Sequence, residues 1–234
     1  MSKLMLHQYN LSPFNDKIQR MLNYKGIAFE EKYWQLAEQK QVRKFNPSGK
    51  LPALEHNGHL VCDSTDMAHY IEETFPEPPL LPAAPELRGL VHALEDWADE
   101  SLYFYEMRWR FGTPGNVERN LPRMVEKEKP FVRWLLPKLL PKGLKKILDN
   151  QGVGRKSMEQ LKTDTERHVA AVAGMLEGGD FLVGKQLTLA DLAVRIMFEC
   201  FNDATEGAEI IARYPAVPAW MARVEALTEP KTEY

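Results

Sequence analysis

The sequence predicts two domains of different class, a small α/β module over roughly the first 80 residues followed by an almost entirely helical remainder. Three observations carry this reading. Short apolar and aromatic runs alternate with helical patterning as far as residue 74, five prolines crowd between 76 and 85, and every apolar pattern beyond them repeats at helical spacing. At 234 residues the chain exceeds the usual single-domain size, and its 44% of hydrophobic residues is ample to offset the ordering entropy of two cores.

In chain order, residues 3 to 9 (KLMLHQY) and 27 to 34 (IAFEEKYW) read as strands. Between them Ile18, Met21 and Leu22 recur at helical spacing behind Ser12-Pro13, an N-cap residue followed by the proline favoured in a first helical turn. A second helix is predicted near 36 to 44. The loop FNPSGK then leads into LPALEH and HLVC, and Asn57-Gly58 between two apolar runs is the strongest short hairpin signal. Asp63 or Ser64 caps a third helix in which Met67, Tyr70, Ile71 and Thr74 share a face. The order is β-α-β-α-β-β-α. The proline run is the linker, which sets the first domain at 1–77, the linker at 78–85 and the helical domain at 86–234. Helices are predicted there at about 86 to 110, 117 to 136, 156 to 177, 188 to 205 and 216 to 227. The run Leu187 to Leu192 carries Thr188 with Asp191 three positions on, a capping box whose reading is purely structural.

Composition narrows the function classes. No run of 18 apolar residues exists and the opening lacks the apolar stretch of a signal peptide, so a cytoplasmic location is expected. Cys62 and Cys200 are too few and too isolated for a disulfide framework or a metal cluster, which fits a reducing compartment. The formal charge of -3 is uneven: residues 123 to 156 hold ten Lys/Arg against Glu126, Glu128 and Asp149, a local +7 that leaves -10 elsewhere. A solvated, basic helical insertion is preferred over peripheral contact with an anionic membrane, because Pro137, Pro141 and Gly143 are expected to interrupt a long amphipathic helix. No nucleic-acid-binding motif is present.

SPF at 12 to 14, KG and an aromatic at 25 to 29, NPSGKLPAL, HNG, Asp63-Ser64 and the late GKQLTLADLA together resemble the cytosolic glutathione S-transferase superfamily, in its serine-type branch. The resemblance covers both domains and is weakest from about 109 to 157, where the chain is similar to bacterial members related to the failed-axon-connections and metaxin-like branch. It implies a thioredoxin-like first domain that binds glutathione, an all-helical second domain, a homodimer, and no metal or nucleotide.

By that resemblance Ser12 is the catalytic residue, its hydroxyl donating to the glutathione thiolate beside the amides and dipole of a helix start. The plainer reading makes Ser12 a helix cap alone. Such electropositive settings lower thiol pKa values from about 8.5 to between roughly 3.5 and 7.5. Cysteine is absent at 12 and position 15 is Asn, so disulfide exchange through this site is not expected. Pro52 matches the family's cis-proline, and the peptide groups of Leu51 are expected to pair with the cysteinyl part of glutathione. Asp63 and Ser64 match the pair that holds the γ-glutamyl end, Lys50 and Lys40 are candidates for the glycyl carboxylate, and Phe14 belongs to the same set. The acceptor site is expected between the domains, facing Ser12 and lined by Leu11, Trp97, Ser101, Tyr103, Phe104 and Arg108, although for Trp97 and Phe104 a place in the core is the preferred reading. Arg108, facing such a pocket, would favour an anionic or carbonyl-bearing acceptor. The implied activity is conjugation of glutathione to a small hydrophobic electrophile, with a glutathione-dependent lyase or isomerase, or a non-enzymatic adaptor of the same fold, as alternatives.

Overall fold

The computed structural model describes residues 3 to 230; the two residues before and the four after, which the predicted domains include, lie outside the described residues. Strand β1 (Leu4–Gln8) is followed by α1 (Pro13–Tyr24), β2 (Glu30–Tyr33), a 3-10 turn at Leu36–Glu38 running into α2 (Gln39–Phe45), β3 (Ala53–His56), β4 (His59–Cys62) and α3 (Ser64–Thr74). The sheet order is β2-β1-β3-β4, with β1 and β2 parallel and the other two pairings antiparallel. This is the predicted order. Leu4 and Leu6 of β1 alternate onto the face covered by α1 and α3, where Ile18, Met21, Leu22, Met67 and Ile71 are fully buried. The other face carries a smaller cluster of Val42, Leu51 and Ala53, capped by Trp34 and Phe45. Asn57 and Gly58 both take positive φ, 51° and 82°, as a two-residue hairpin turn of this hand requires. Strand β2 begins three residues later than predicted; Ile27 and Phe29 pack on the core ahead of it, leaving an exposed, charged edge strand.

Helix α4 (Pro85–Trp97) passes through a π-helical turn at Ala98–Leu102 into α5 (Tyr103–Gly112), so the predicted 86 to 110 helix is continuous but not uniform. After it come α6 (Pro114–Met124), α7 (Pro130–Gln151), α8 (Met158–Met175), α9 (Leu189–Asn202), α10 (Thr205–Ala212) and α11 (Ala216–Thr228). Helix α9 is buried along nearly its whole length, from Leu189 to Phe201 except Glu199, and is the core of the bundle. At its start the buried Asp191 carboxylate accepts from the Thr188 amide (2.9 Å) and hydroxyl (2.8 Å), the Leu182 amide (2.9 Å) and the Trp220 indole (2.9 Å).

Two boundaries differ from the sequence reading. The single helix predicted over 117 to 136 is two, α6 and α7, and the pattern predicted over 188 to 205 ends at Asn202 before α10 begins. Helix α7 also runs 22 residues through Pro137 and Pro141, which were expected to interrupt it. Each proline removes one backbone donor, and α7 is largely solvent-facing, so water can take up the freed carbonyls while packing against α5 and the Val153–Arg155 turn carries the helix. Phe131 and Trp134 stand exposed on it among the lysines. Among the described residues no helix is long and apolar enough to cross a membrane.

The domains are joined by a buried ion cluster. Lys17 of α1, with no exposed side-chain surface, places Nζ 2.7 Å from Glu95 Oε1 of α4 and 2.5 Å from Asp99 Oδ2 in the π-helical turn.

Candidate functional site

The β1–α1 loop is held by its own residues. Leu11 adopts a left-handed φ of 60°, and Asn15 of the first helical turn reaches back to donate to the Tyr9 carbonyl. Ser12 occupies the N-cap position with extended backbone, and its carbonyl accepts from the Asn15 and Asp16 amides at 3.2 and 3.4 Å. Its hydroxyl makes no capping bond, contrary to the capping role expected of it. Those two amides are taken by the carbonyl, Pro13 has none to offer, and Ser12 lines the cavity described below.

Two cavities adjoin at Phe14, Lys50, Leu51, Asp99 and Glu100. The first, of about 340 Å³, lies over the ends of β3 and β4 and the start of α3. The NPSGK loop forms one wall through its own side chains: Asn46 donates to the Lys50 carbonyl (2.8 Å) and accepts from the Ser48 hydroxyl (2.9 Å), and the Lys50 amide donates to Ser48 Oγ (3.1 Å). The Leu51-Pro52 peptide is cis, and Leu51 stands two residues before the first ladder pair at Ala53. Opposite it, Asp63 caps α3 by accepting from the Thr65 amide at 2.9 Å while its backbone holds φ at 85°, a strained value for a residue with a Cβ. Ser64 is buried and its hydroxyl lies 3.4 Å from Asp99 Oδ2; the Thr65 hydroxyl donates to Glu95 Oε1 at 2.7 Å. Burial pushes the Asp99 carboxyl up to about 6, against the pull of Lys17. Burial also opposes ionisation of Glu95, but the Lys17 charge and the hydrogen bonds from Lys17 and Thr65 outweigh it and hold that carboxyl below its ordinary range.

The second cavity, of about 370 Å³, sits between the domains and contains Ser12. Its aromatic wall includes Phe14 and Tyr103, with ring centroids 4.9 Å apart, and Phe104, 5.1 Å from Tyr103. Burial pushes the Tyr103 phenol up, so it stays protonated. Met124, Lys127, Glu128 and Leu144 come from the 109–157 stretch, which therefore supplies a wall of this cavity. That wall is tied to the first domain where Glu128 Oε1 accepts from the Leu36 amide (2.6 Å) and Asn10 donates to the Arg123 carbonyl (2.6 Å).

Of the residues singled out in the sequence, Phe14, Lys50, Leu51, Pro52, Asp63 and Ser64 are brought together in the first cavity, and Leu11, Ser12, Tyr103 and Phe104 in the second. Lys40 is exposed on α2 and borders neither. Trp97, Ser101 and Arg108 also fall outside both. Trp97 packs against His168 with centroids 5.5 Å apart, and Arg108 is turned to the Gly112 carbonyl and Met158. The lining follows the helical stripe of Asp99, Tyr103, Glu106 and Arg110, and Trp97, Ser101 and Arg108 each stand two residues from a member of it, on the other side of the helix. The arginine that reaches the cavity is Arg110, whose Nε lies 2.5 Å from Glu106 Oε2. Burial pushes the Glu106 carboxyl up, with Arg110 opposing. Neither Glu106 nor Arg110 was legible as a site residue, because i,i+4 charge pairs on helices are usually solvated.

Comparison with known proteins bears on the family and fold of the chain. The family description "Glutathione S-transferase, N-terminal domain" matches residues 6–79, and "Glutathione S-transferase, C-terminal domain" matches residues 135–228. Protein LigF of a Sphingobium species is 26% identical over 240 residues, 94% of this chain and 90% of that protein. FtsZ-localized protein A of Caulobacter vibrioides is 26% identical over 196 residues, 80% of this chain and 72% of that protein. Among solved structures, a glutathione S-transferase from Rhodospirillum rubrum superposes with a TM-score of 0.68 at 22% identity, over 99% of this chain and 93% of that one. The beta-etherase LigF superposes with a TM-score of 0.67 at 24% identity, over 96% and 95%.

Proposed function

The chain belongs to the glutathione S-transferase superfamily, and from that premise we propose that it is a glutathione-dependent transferase in which Ser12 stabilises the thiolate that attacks a small, largely apolar electrophile. One observation carries the reading: a cavity gathering Lys50, Leu51, Pro52, Asp63 and Ser64 opens onto a mostly apolar cavity lined by Ser12, whose hydroxyl makes no capping bond. In this reading the tripeptide lies across the first cavity. The Leu51 backbone pairs with its cysteinyl part, Ser64 and the α3 amides take the γ-glutamyl carboxylate, and Asp63 with Asp99 attracts the ammonium group. Lys50 is the basic side chain placed for the glycyl carboxylate. The thiol then projects toward Ser12 and the acceptor cavity. Rate gain comes from forming thiolate near neutral pH and from holding both reactants in one water-poor space.

A second reading has a specific support. LigF is described as a beta-etherase and matches nearly the whole chain, and cleavage of an ether by the same thiolate uses the same two cavities. The name of FtsZ-localized protein A describes a localisation and no reaction, and the adaptor reading is the third alternative. As in the superfamily generally, the working unit is proposed to be a homodimer, which light scattering checks against the 26.9 kDa of one chain.

The test is calorimetric titration with glutathione followed by an electrophile panel that includes aryl halides and aryl ethers. Binding with turnover of a halide supports the transferase, turnover of ethers alone moves the assignment to the lyase, and no glutathione binding overturns both.

A further inference from the structure

Helix α7 turns to solvent a face that neither the fold nor the two cavities use. Phe131, Trp134 and Leu139 are 68%, 61% and 57% exposed, and Lys138, Lys142 and Lys146 are exposed beside them. At about 100° per residue these six fall within an arc of about 140° on one side of the helix. Leu144 and Leu148 lie outside that arc, the first lining the acceptor cavity and the second buried. The Phe131 and Trp134 rings stand together with centroids 6.2 Å apart, and Lys138 Nζ lies 3.6 Å from the Trp134 ring centre. Of the five cations on α7, only Lys145 is paired with an acid among the described residues, Asp149 one turn on.

Exposed apolar side chains are ordinary when scattered and informative when they gather inside a ring of charge. The ring here is of one sign, within a stretch of +7 in a chain that carries -10 elsewhere. An anionic surface therefore attracts this face and repels the rest of the molecule, which sets the orientation of approach. Two features select a lipid surface over an acidic protein. The cations on the arc are all lysine, with Arg133 outside it, whereas protein interfaces are depleted in lysine and enriched in arginine. Lysine stems reach past apolar neighbours to set their ammonium groups among lipid headgroups, at the depth where Trp and Phe rings settle. The face is also one side of a helix with no groove: neither ring lines either cavity, and peptide recognition uses a groove or a free sheet edge. Pro137, Pro141 and Gly143, expected to break such a face, do not, because α7 is unbroken from Pro130 to Gln151 and keeps these positions in line.

We propose that the outward face of α7 docks on an anionic lipid surface, with Phe131 and Trp134 entering the interface and Lys138, Lys142 and Lys146 engaging headgroup phosphates. The contact is peripheral and stands independently of the glutathione reading. Because Leu144 of the same helix lines the acceptor cavity, docking sets that cavity about 10 Å from the lipid, one helix diameter, where apolar molecules concentrate.

The experiment is co-flotation of the full chain with vesicles of phosphatidylcholine alone, or of phosphatidylcholine and phosphatidylglycerol in equal parts, with acrylamide quenching of tryptophan fluorescence alongside. Trp134 is the exposed indole among the five, so shielding on binding reports that side chain. The wild type is expected to partition at least about tenfold more onto the anionic vesicles, less as salt is raised, with Trp134 shielded from the quencher. Lys138→Gln, Lys142→Gln and Lys146→Gln together should lower that partition about 100-fold, at about fivefold for each lysine. Phe131→Ser with Trp134→Ser should lower it at least about tenfold. Arg133→Gln, off the face, should keep most of the binding, and an unchanged urea midpoint in each variant shows the fold intact. Equal partition onto the two vesicle types overturns the inference, as does binding that survives either set of substitutions or falls as far in Arg133→Gln as in the triple variant. Binding to soluble polyglutamate and not to vesicles makes the occupant an acidic protein, and a light-scattering mass that changes with the substitutions makes it a second copy of this chain; either result also overturns it.

Discussion

Replacement of Ser12 by alanine isolates the chemical step from the fold, because the structure separates two roles that the sequence left combined. Its hydroxyl makes no capping bond, and the loop is held instead by the Asn15 side chain and by the Ser12 carbonyl. Ser12→Ala is therefore expected to change stability by no more than about 0.5 kcal/mol, the ordinary range for a substitution that removes no structural contact. The effect on bound glutathione is larger. A hydrogen bond donated to a charged group contributes about 1.5 to 3 kcal/mol, and at about 1.4 kcal/mol per pKa unit the thiol of bound glutathione should rise by about one to two units. If thiolate formation limits the rate, turnover near neutral pH falls about 10- to 100-fold, and it recovers as pH is raised through the new pKa. Affinity for glutathione should change little, since in the proposed binding mode Leu51, Asp63 and Ser64 hold the rest of the tripeptide. Ser12→Thr keeps a donor and should retain most of the thiolate, whereas Ser12→Asp places a negative charge beside it and should abolish it. The assay is ultraviolet thiolate absorbance of the bound tripeptide against pH, alongside turnover of a generic electrophile and a urea midpoint. A thiolate titration that is the same in wild type, alanine and aspartate variants, with glutathione bound in each, would remove Ser12 from the mechanism.

Asp191→Ala should cost about 3 to 5 kcal/mol, because the Leu182 amide and the Trp220 indole lose their buried acceptor, while Thr188→Ala removes one hydroxyl donor and should cost about 1 kcal/mol; equal shifts in the denaturation midpoint would show that Asp191 is not the hub. Lys17→Met leaves Glu95 and Asp99 buried without their cation and should cost about 3 to 5 kcal/mol near neutral pH. In that variant Asp99 takes up a proton more readily folded than unfolded, so stability lost at pH 8 should be partly regained toward pH 5, and a midpoint deficit independent of pH would refute the ion-cluster account. Asp99, which titrates at about 6, is ionised above that pH and neutral below it. The attraction proposed between Asp99 and the glutathione ammonium group is thus expected above pH 6, and the calorimetric Kd should rise as pH falls through 6 in the wild type but not in Asp99→Asn.

What was legible in the sequence is what neighbouring residues decide among themselves. Asn57-Gly58 turns the hairpin because those two residue types tolerate positive φ. The NPSGK loop is closed by its own Asn46 and Ser48, and Asp63 caps the helix that it precedes. These short-range devices, strung between apolar runs of the right period, were enough to order the first domain, end it at the prolines and bring six of the seven predicted glutathione residues to one cavity; Lys40 was the miss, a charge with no local constraint on where its long side chain points. The acceptor side depended on the tertiary structure. The cavity took the stripe of Asp99, Tyr103, Glu106 and Arg110 and left out Trp97, Ser101 and Arg108, because periodicity gives the spacing of a stripe and not which stripe a distant segment leaves facing a pocket. Tertiary packing carried α7 through two prolines whose local propensity opposes a helix, and folded the 109–157 stretch back to close the cavity with Glu128. Lys17 reads in sequence as an ordinary helical lysine; it is buried because Glu95 and Asp99, some 80 residues away, arrive across the domain boundary to receive it. Local preferences act within a turn or two of the chain, whereas burial and the partner of a charge are set by whichever distant segment packs against it, and that is decided only when the two domains close on each other.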